Sequence, residues 1–291
     1  MPELQGRVPQ DLGVREGHVL CYPSAVQDPP CECGTLRPVS RREVLKYAGA
    51  APLILSLSGL VATLEAPKAS AASLAGMAVF LDPGHNGVSD SSITRQVPNG
   101  RGGTKDCNTT GTATSDGYSE HAFNWDVVQR IQAALTQMGV RTELSRDSDN
   151  GVGPCVDQRA ALANAMRPDV IVSIHADGGP PSGRGFHVNY SAPPLNDAQA
   201  GPAVQLAHTM RDSLVAAGLQ PSTYIGSNGL YGRADLAGLN LAQYPAILVE
   251  CGNMKNPDEA AQMERPDGRA EYAAALTQGI VTYLNIKTAA S

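Results

Sequence analysis

From residue 76 onward, apolar runs of strand length alternate with longer stretches in which apolar residues recur every three or four positions. MAVFLD (77–82) is short, apolar and closed by Pro83-Gly84, which predicts a buried strand. Phe123, Val127, Val128, Ile131, Leu135 and Met138 recur at helical spacing after Glu120, with Ser119 as N-cap and Gly139 as C-cap. VRTEL (140–144) reads as the next strand, and VDQRAALANAM (156–166) as a helix stopped before Pro168. VIVSI (170–174) is a continuous β-branched run, hence a central strand, and GFHVNY (185–190) alternates, as a strand nearer an edge does. A helix over 203–217 ends at Gly218, AILVE (246–250) is another buried strand, and 267–285 is a closing helix. This alternation predicts an α/β fold: a single three-layer domain whose mixed, mostly parallel sheet of about six strands is flanked by helices on both faces.

Two segments stand outside that rhythm. Residues 83–119 are dominated by Gly, Ser, Thr and Asn, and a loop of that length inside a compact domain is usually functional or flexible. Residues 40–72 join Arg41-Arg42 to an uncharged run from Tyr47 to Leu64 and then to small residues, the layout of a signal peptide. Its order is similar to the twin-arginine export signature, with cleavage expected near Ala71. An uncleaved membrane anchor is the alternative, weakened by the Gly, Ser, Thr and Pro in the run. The expected organisation is therefore a disordered extension, or residues ahead of a later true start (1–39), a twin-arginine-type signal (40–71) and one domain (72–291) carrying a loop insertion at 86–119. Cys21, Cys31 and Cys33 in the extension lack the paired C-x-x-C spacing of structural zinc.

Composition sharpens this reading. Hydrophobic residues at 42% and charged residues at 17% supply a sizeable core and too little charge for a disordered chain. The net charge of -6 excludes a nucleic-acid partner, and the deficit lies after residue 71, where 15 basic face 21 acidic residues. One Trp and three Phe leave little for a broad sugar-stacking platform. The exported part holds Cys107, Cys155 and Cys251. Cys107 and Cys155 sit in polar, Gly-rich loops and are the expected disulfide; Cys251 follows an apolar run and reads as a buried thiol rather than a nucleophile.

The chemistry gathers at predicted strand ends, where ligands of open α/β sheets bind. His85 follows the first strand, His175 follows VIVSI, Glu250 closes AILVE, and Glu120 opens the first helix. Two imidazoles and a carboxylate are a common catalytic zinc set, in which the ion lowers the pKa of a water and polarises a carbonyl. Glu250 remains as the base that takes the water's proton and passes it to a leaving amine. No H-E-x-x-H occurs, so thermolysin-type spacing is absent.

LDPGHNG (81–87), GYSEH (117–121), SIHADG (173–178) and YPAILVECGNMKN (244–256) resemble the four signature stretches of the zinc-dependent N-acetylmuramoyl-L-alanine amidases, the amidase-3 family. The resemblance spans roughly 76–285 and is nearest to the mycobacterial single-domain peptidoglycan amidases. It implies one Zn2+ on His85, Glu120 and His175, with Glu250 as general base. It also implies cleavage of the amide between N-acetylmuramic acid and L-alanine, in a monomer acting on muropeptides outside the cytoplasmic membrane. The long loop 86–119, pinned by Cys107, would wall the groove. The Pro- and Gly-rich stretch 178–200 offers no helix to plug the site, so a constitutively open enzyme favouring small muropeptides is expected. Alternatives are a zinc peptidase or carboxypeptidase on stem peptides, and a noncatalytic wall-binding module, which the presence of all four residues disfavours.

Several residues keep two readings at this level. Asp82 either orients His85 or caps a loop; Asp177 either supports His175 or caps a turn. His121 adjoins Glu120 but faces about 100° away on a helix. His187 is structural, exposed or in touch with substrate. Arg159 and Arg233 either meet a stem-peptide carboxylate or form structural ion pairs.

Overall fold

The computed structural model describes residues 74–290, so the expected extension and export signal lie outside the described residues. In chain order the elements are β1 (Ala78–Pro83), a hairpin of β2 (Gln96–Pro98) and β3 (Thr104–Asp106), α1 (Glu120–Gln137), β4 (Arg141–Leu144), α2 (Val156–Met166) and β5 (Val170–Asp177). There follow β6 (His187–Ser191), α3 (Asp197–Ala200), α4 (Pro202–Ala216), β7 (Leu230–Arg233), α5 (Ala237–Asn240), β8 (Ala246–Asn253), α6 (Pro257–Glu264) and α7 (Pro266–Ala289). Six strands form one sheet in the order β4-β1-β5-β8-β6-β7. The first four run parallel, β6 is antiparallel to β8, and β7 is parallel to β6 at the edge. VIVSI therefore lies centrally and GFHVNY one strand in from the edge.

Period-2 alternation sends the two sets of strand side chains to different covers. Val79, Leu81, Val170, Val172, Ile174, Val188, Ile247 and Val249 pack beneath α1, α4 and α7, against Phe123, Ile131, Met210 and Leu276. Phe123 meets Tyr272 edge to face at 5.6 Å, a geometry worth about 1 kcal/mol beyond area burial. Where α4 and α7 meet, a Cβ at Gly279 would lie 2.6 Å from Met210 Sδ, so the thioether would have to shift to admit one. The opposite face has a smaller apolar patch of Ala78, Phe80, Ile171 and Ala246 against Ala163, Met166 and Leu239 of α2 and α5. The same alternation, continued toward the strand ends, leaves Asp82, Ser173, His175, Glu250 and His187 on this lightly covered face.

The structure departs from the sequence expectations at the weakly patterned pieces. Met138, not Gly139, is the C-cap of α1; Gly139 follows it at φ 80°, where a left-handed residue ends the helix. Ser119 occupies the N-cap position without a side-chain hydrogen bond. α6 was not expected, because Met263 is the one buried residue in its eight. It starts at Asn256, whose side chain accepts from the backbone of Asp258 and Glu259. The long loop holds the β2–β3 hairpin, tied down by Arg101 through Asn240 (3.1 Å), Ser191 (3.0 Å) and the Pro193 carbonyl (2.6 Å).

Cys107 and Cys155 form a disulfide across 48 residues, beside Val97 and Val156. Closing a loop of that length removes about 4 kcal/mol of unfolded-state entropy in the chain-closure model. Cys107→Ala with Cys155→Ala is expected to lower the unfolding free energy in urea by about 2–4 kcal/mol. An unchanged midpoint would show that the loop is held by Arg101 and its neighbours alone. Cys251 is free and buried, and burial pushes its thiol well above the usual range, so it is inert.

Candidate metal centre

His85 sits just past β1 at φ 64°, a left-handed conformation that costs a β-carbon residue roughly 1–2 kcal/mol. The surroundings impose it. The Gly84 amide donates to the Ile174 carbonyl (3.0 Å), tying the turn to β5. The Arg159 guanidinium donates to the carbonyls of Pro83 (2.9 Å) and His85 (2.7 Å), to Asn86 Oδ1 (2.7 Å) and to Asp82 Oδ1 (2.7 Å). A Cβ at Gly84 would lie 2.3 Å from the His175 ring, so only glycine lets the two segments meet. Gly111, at φ 75°, closes the other side, where a Cβ would be 2.8 Å from Glu120 Oε2.

Glu120 opens α1, where the helix dipole favours a carboxylate. Its Oε2 accepts from the Thr112 amide (2.9 Å) and its Oε1 from the Ala176 amide (3.2 Å). Oε1 also lies 3.0 Å from His85 Nε2 and 2.9 Å from His175 Nδ1. His85 Nδ1 donates to the Thr109 carbonyl at 2.9 Å, which fixes the tautomer and aims Nε2 at Glu120. Burial opposes charge on Glu120, but hydrogen bonds from His175 and His85 outweigh it and hold the carboxyl well below the usual range. Burial likewise opposes charge on His85, and the bond to Glu120 reverses it, raising the imidazole pKa.

The donor atoms of His85, Glu120 and His175 lie within 4.8 Å of one another. Two imidazole nitrogens and one buried carboxylate oxygen fit a divalent ion of the zinc class, whose charge would replace the imidazole protons as the partner of Glu120. Glu250 is the direct neighbour of His175 in the β5–β8 register, on the same face. Its Oε2 is buried without a hydrogen-bond partner among the described residues. Burial, then the charges of Glu120 and Asp177, push the Glu250 carboxyl well above its ordinary value.

A cleft of about 490 Å³ opens over these four residues. Thr109–Thr112, Lys105 and Asp106 of the long loop wall it on one side, Asp177 and Gly178 border it, and Phe80, Ile171 and Leu248 extend it over the sheet. The other residues singled out from the sequence lie outside the three-residue donor cluster. Asp82 does not touch the His85 ring; it pairs with Arg159 and accepts from Ser145 and Ser173. His121 faces Asp149 at 3.0 Å, away from the cluster. Arg233 pairs with Asp235 at 2.9 Å, and Asp177 accepts from the Tyr224 hydroxyl at 2.9 Å. His187 is buried beside Tyr224 and Tyr231. Sequence reasoning missed Gly84, Gly111 and Thr109; the Pro83-Gly84 pair signalled a strand end, and nothing local signalled a contact with His175.

A His, Glu, His donor set at the strand ends of an α/β sheet, with a buried carboxylate beside it, is an arrangement able to hold a divalent ion next to a proton acceptor. The chain belongs to the N-acetylmuramoyl-L-alanine amidase family, Amidase_3, whose model matches residues 79–282. It is 61% identical over 237 residues to the N-acetylmuramoyl-L-alanine amidase Rv3717 of Mycobacterium tuberculosis, covering 81% of this chain and 94% of that one. The solved N-acetylmuramyl-L-alanine amidase of Mycobacterium smegmatis superposes with a TM-score of 0.73 at 64% identity, covering 73% of this chain and 99% of that one. The enzyme of Mycobacterium abscessus does so with 0.72 at 62% identity, covering 72% and 99%.

Proposed function

We propose that this amidase hydrolyses the amide joining the lactyl group of N-acetylmuramic acid to L-alanine, with one Zn2+ held by His85, Glu120 and His175 and with Glu250 as general base. The observation that carries the assignment is that these three donors and Glu250 share one cleft in a chain of this family. Bound zinc supplies Lewis acidity toward the scissile carbonyl and the attacking water. Glu250 receives a proton from that water on its carboxylate and delivers it to the leaving nitrogen as the C–N bond breaks. The products are a lactyl carboxylate on intact sugar and a peptide with a free N-terminal alanine. Glu120 contributes the negative charge of the donor set, and Thr109 and Arg159 keep His85 turned toward it.

The test is digestion of defined muropeptides with and without a chelator. Chelation is expected to abolish turnover and added zinc to restore it, with alanine as the new N-terminus. Release of an amino acid from the peptide's carboxyl end would support the peptidase reading instead, and chelator-resistant turnover would sink the metal assignment.

The reading extends to context: export directed by residues 40–71 through the twin-arginine route, a catalytic domain of 72–291, action as a monomer, and no stable membrane insertion after signal cleavage. No described helix is long and apolar enough to cross a membrane. Between Gly178 and Asn196 the described chain has no helix, and the cleft stands open at the donor cluster. Turnover of muramyl dipeptide is therefore expected to exceed that of intact sacculi per cleavable bond; equal rates would overturn the preference for small substrates.

A further inference from the structure

Resting on the assignment of Glu250 as the base, the structure points to an orienting group for it. The three strands β5, β8 and β6 place His175, Glu250 and His187 abreast, because Glu250 is the register partner of His175 on one side and of His187 on the other. Direct partners in an antiparallel pair lie on the same face with Cβ atoms roughly 5 Å apart. The base is thus flanked by a candidate metal ligand on one side and a second imidazole on the other.

His187 is 1% exposed, and its ring meets Tyr224 at 6.4 Å and Tyr231 at 6.2 Å between ring centres, both edge-on. Its Nδ1 is buried without a hydrogen-bond partner among the described residues, and so is Glu250 Oε2. An unpaired buried polar atom is costly, and a donor and an acceptor on directly opposed residues of one sheet face are placed to satisfy each other by a small side-chain rotation or through one water. Burial lowers the pKa of His187 to about 4, so the ring is neutral and one nitrogen carries a single proton.

We propose that His187 is a positioning residue for Glu250: its Nδ1–H donates to Glu250 Oε2, directly or through one water, and so leaves Oε1 aimed at the attacking water. A carboxylate with one oxygen anchored loses the rotation that would otherwise turn its basic lone pair away from the reacting atoms.

The variants are His187→Phe, which keeps the ring and removes the donor, and His187→Asn, whose side-chain amide places an N–H near the former Nδ1. Phe is expected to lower kcat about 10–100-fold with KM within twofold and zinc content unchanged, and Asn to recover most of the loss. Full kcat in the Phe variant, or Asn as impaired as Phe in a protein that melts like the parent, would overturn the proposal. A second readout needs no turnover. The ¹⁵N resonances of His187 in zinc-free protein are expected to shift on Glu250→Gln; unshifted resonances would overturn the contact. Absence of amidase activity in the parent would instead defeat the assignment of the reaction, whatever the resonances show.

Discussion

Glu250→Gln is expected to lower kcat on muropeptides by about 10⁴-fold, near 5.5 kcal/mol of barrier, while KM and zinc content stay at their parent values. The reasoning is chemical and local. Gln keeps the volume and hydrogen-bonding reach of the side chain but cannot accept a proton from the water or return one to the leaving nitrogen. In the proposed reaction one carboxylate would serve both transfers, which sets the loss at the upper end of the roughly 10²–10⁴-fold that general acid–base catalysis supplies. A second expectation separates the loss of function from a loss of fold. In the zinc-free protein the Glu250 carboxyl is pushed well above its ordinary value by burial and by the charges of Glu120 and Asp177. Folding therefore disfavours its ionised form relative to the unfolded chain, and the neutral amide is expected to raise the melting temperature. Turnover within tenfold of the parent in a zinc-loaded Gln variant would remove Glu250 from the reaction.

Arg159→Ala is expected to cost about 3–5 kcal/mol of stability and, in a domain of this size, on the order of 10 °C in melting temperature. Arg159 is 4% exposed and serves Asp82 and three acceptors of the turn carrying His85. Its removal leaves Asp82 as a buried charge beside Ser145 and Ser173 and releases the left-handed backbone at His85. Zinc affinity is therefore expected to fall with stability. The pH dependence carries a sign. Burial raises the Asp82 pKa, but the Arg159 charge and the two hydroxyl bonds outweigh it and hold the carboxyl well below the usual range. The stability it contributes is present above the unfolded value of about 3.9 and is lost as pH falls through the folded value. The variant is expected to lose less stability on acidification than the parent. Equal acid sensitivity in both, measured by urea titration at pH 7 and pH 3, would show that the pair contributes nothing.

Where apolar periodicity was strong, the sequence and the structure coincide. Helix 156–166 has the bounds that its pattern and Pro168 imply, VIVSI is central because both of its faces are covered, and Cys107 meets Cys155. Where pattern was weak they part. Strand β7 has four residues, the hairpin strands three each, and α6 buries a single side chain, so none carries enough periodic signal to stand out of a polar stretch. The readings left open for Asp82 and Arg159 resolve into each other, since the acid and the base are 77 residues apart and nothing in either neighbourhood names its partner.

The sequence by itself determined the alternation of strands and helices, the residue types that gather at strand ends, and the four stretches that mark the family, because each is a local pattern of polarity or a short motif. Only the tertiary structure decided which atoms face one another. Gly84 beneath the His175 ring, Thr109 on the far nitrogen of His85, and His187 across the ladder from Glu250 are contacts between segments that are distant in sequence. They are set by strand order and register, which depend on the packing of the whole sheet and which no short stretch encodes.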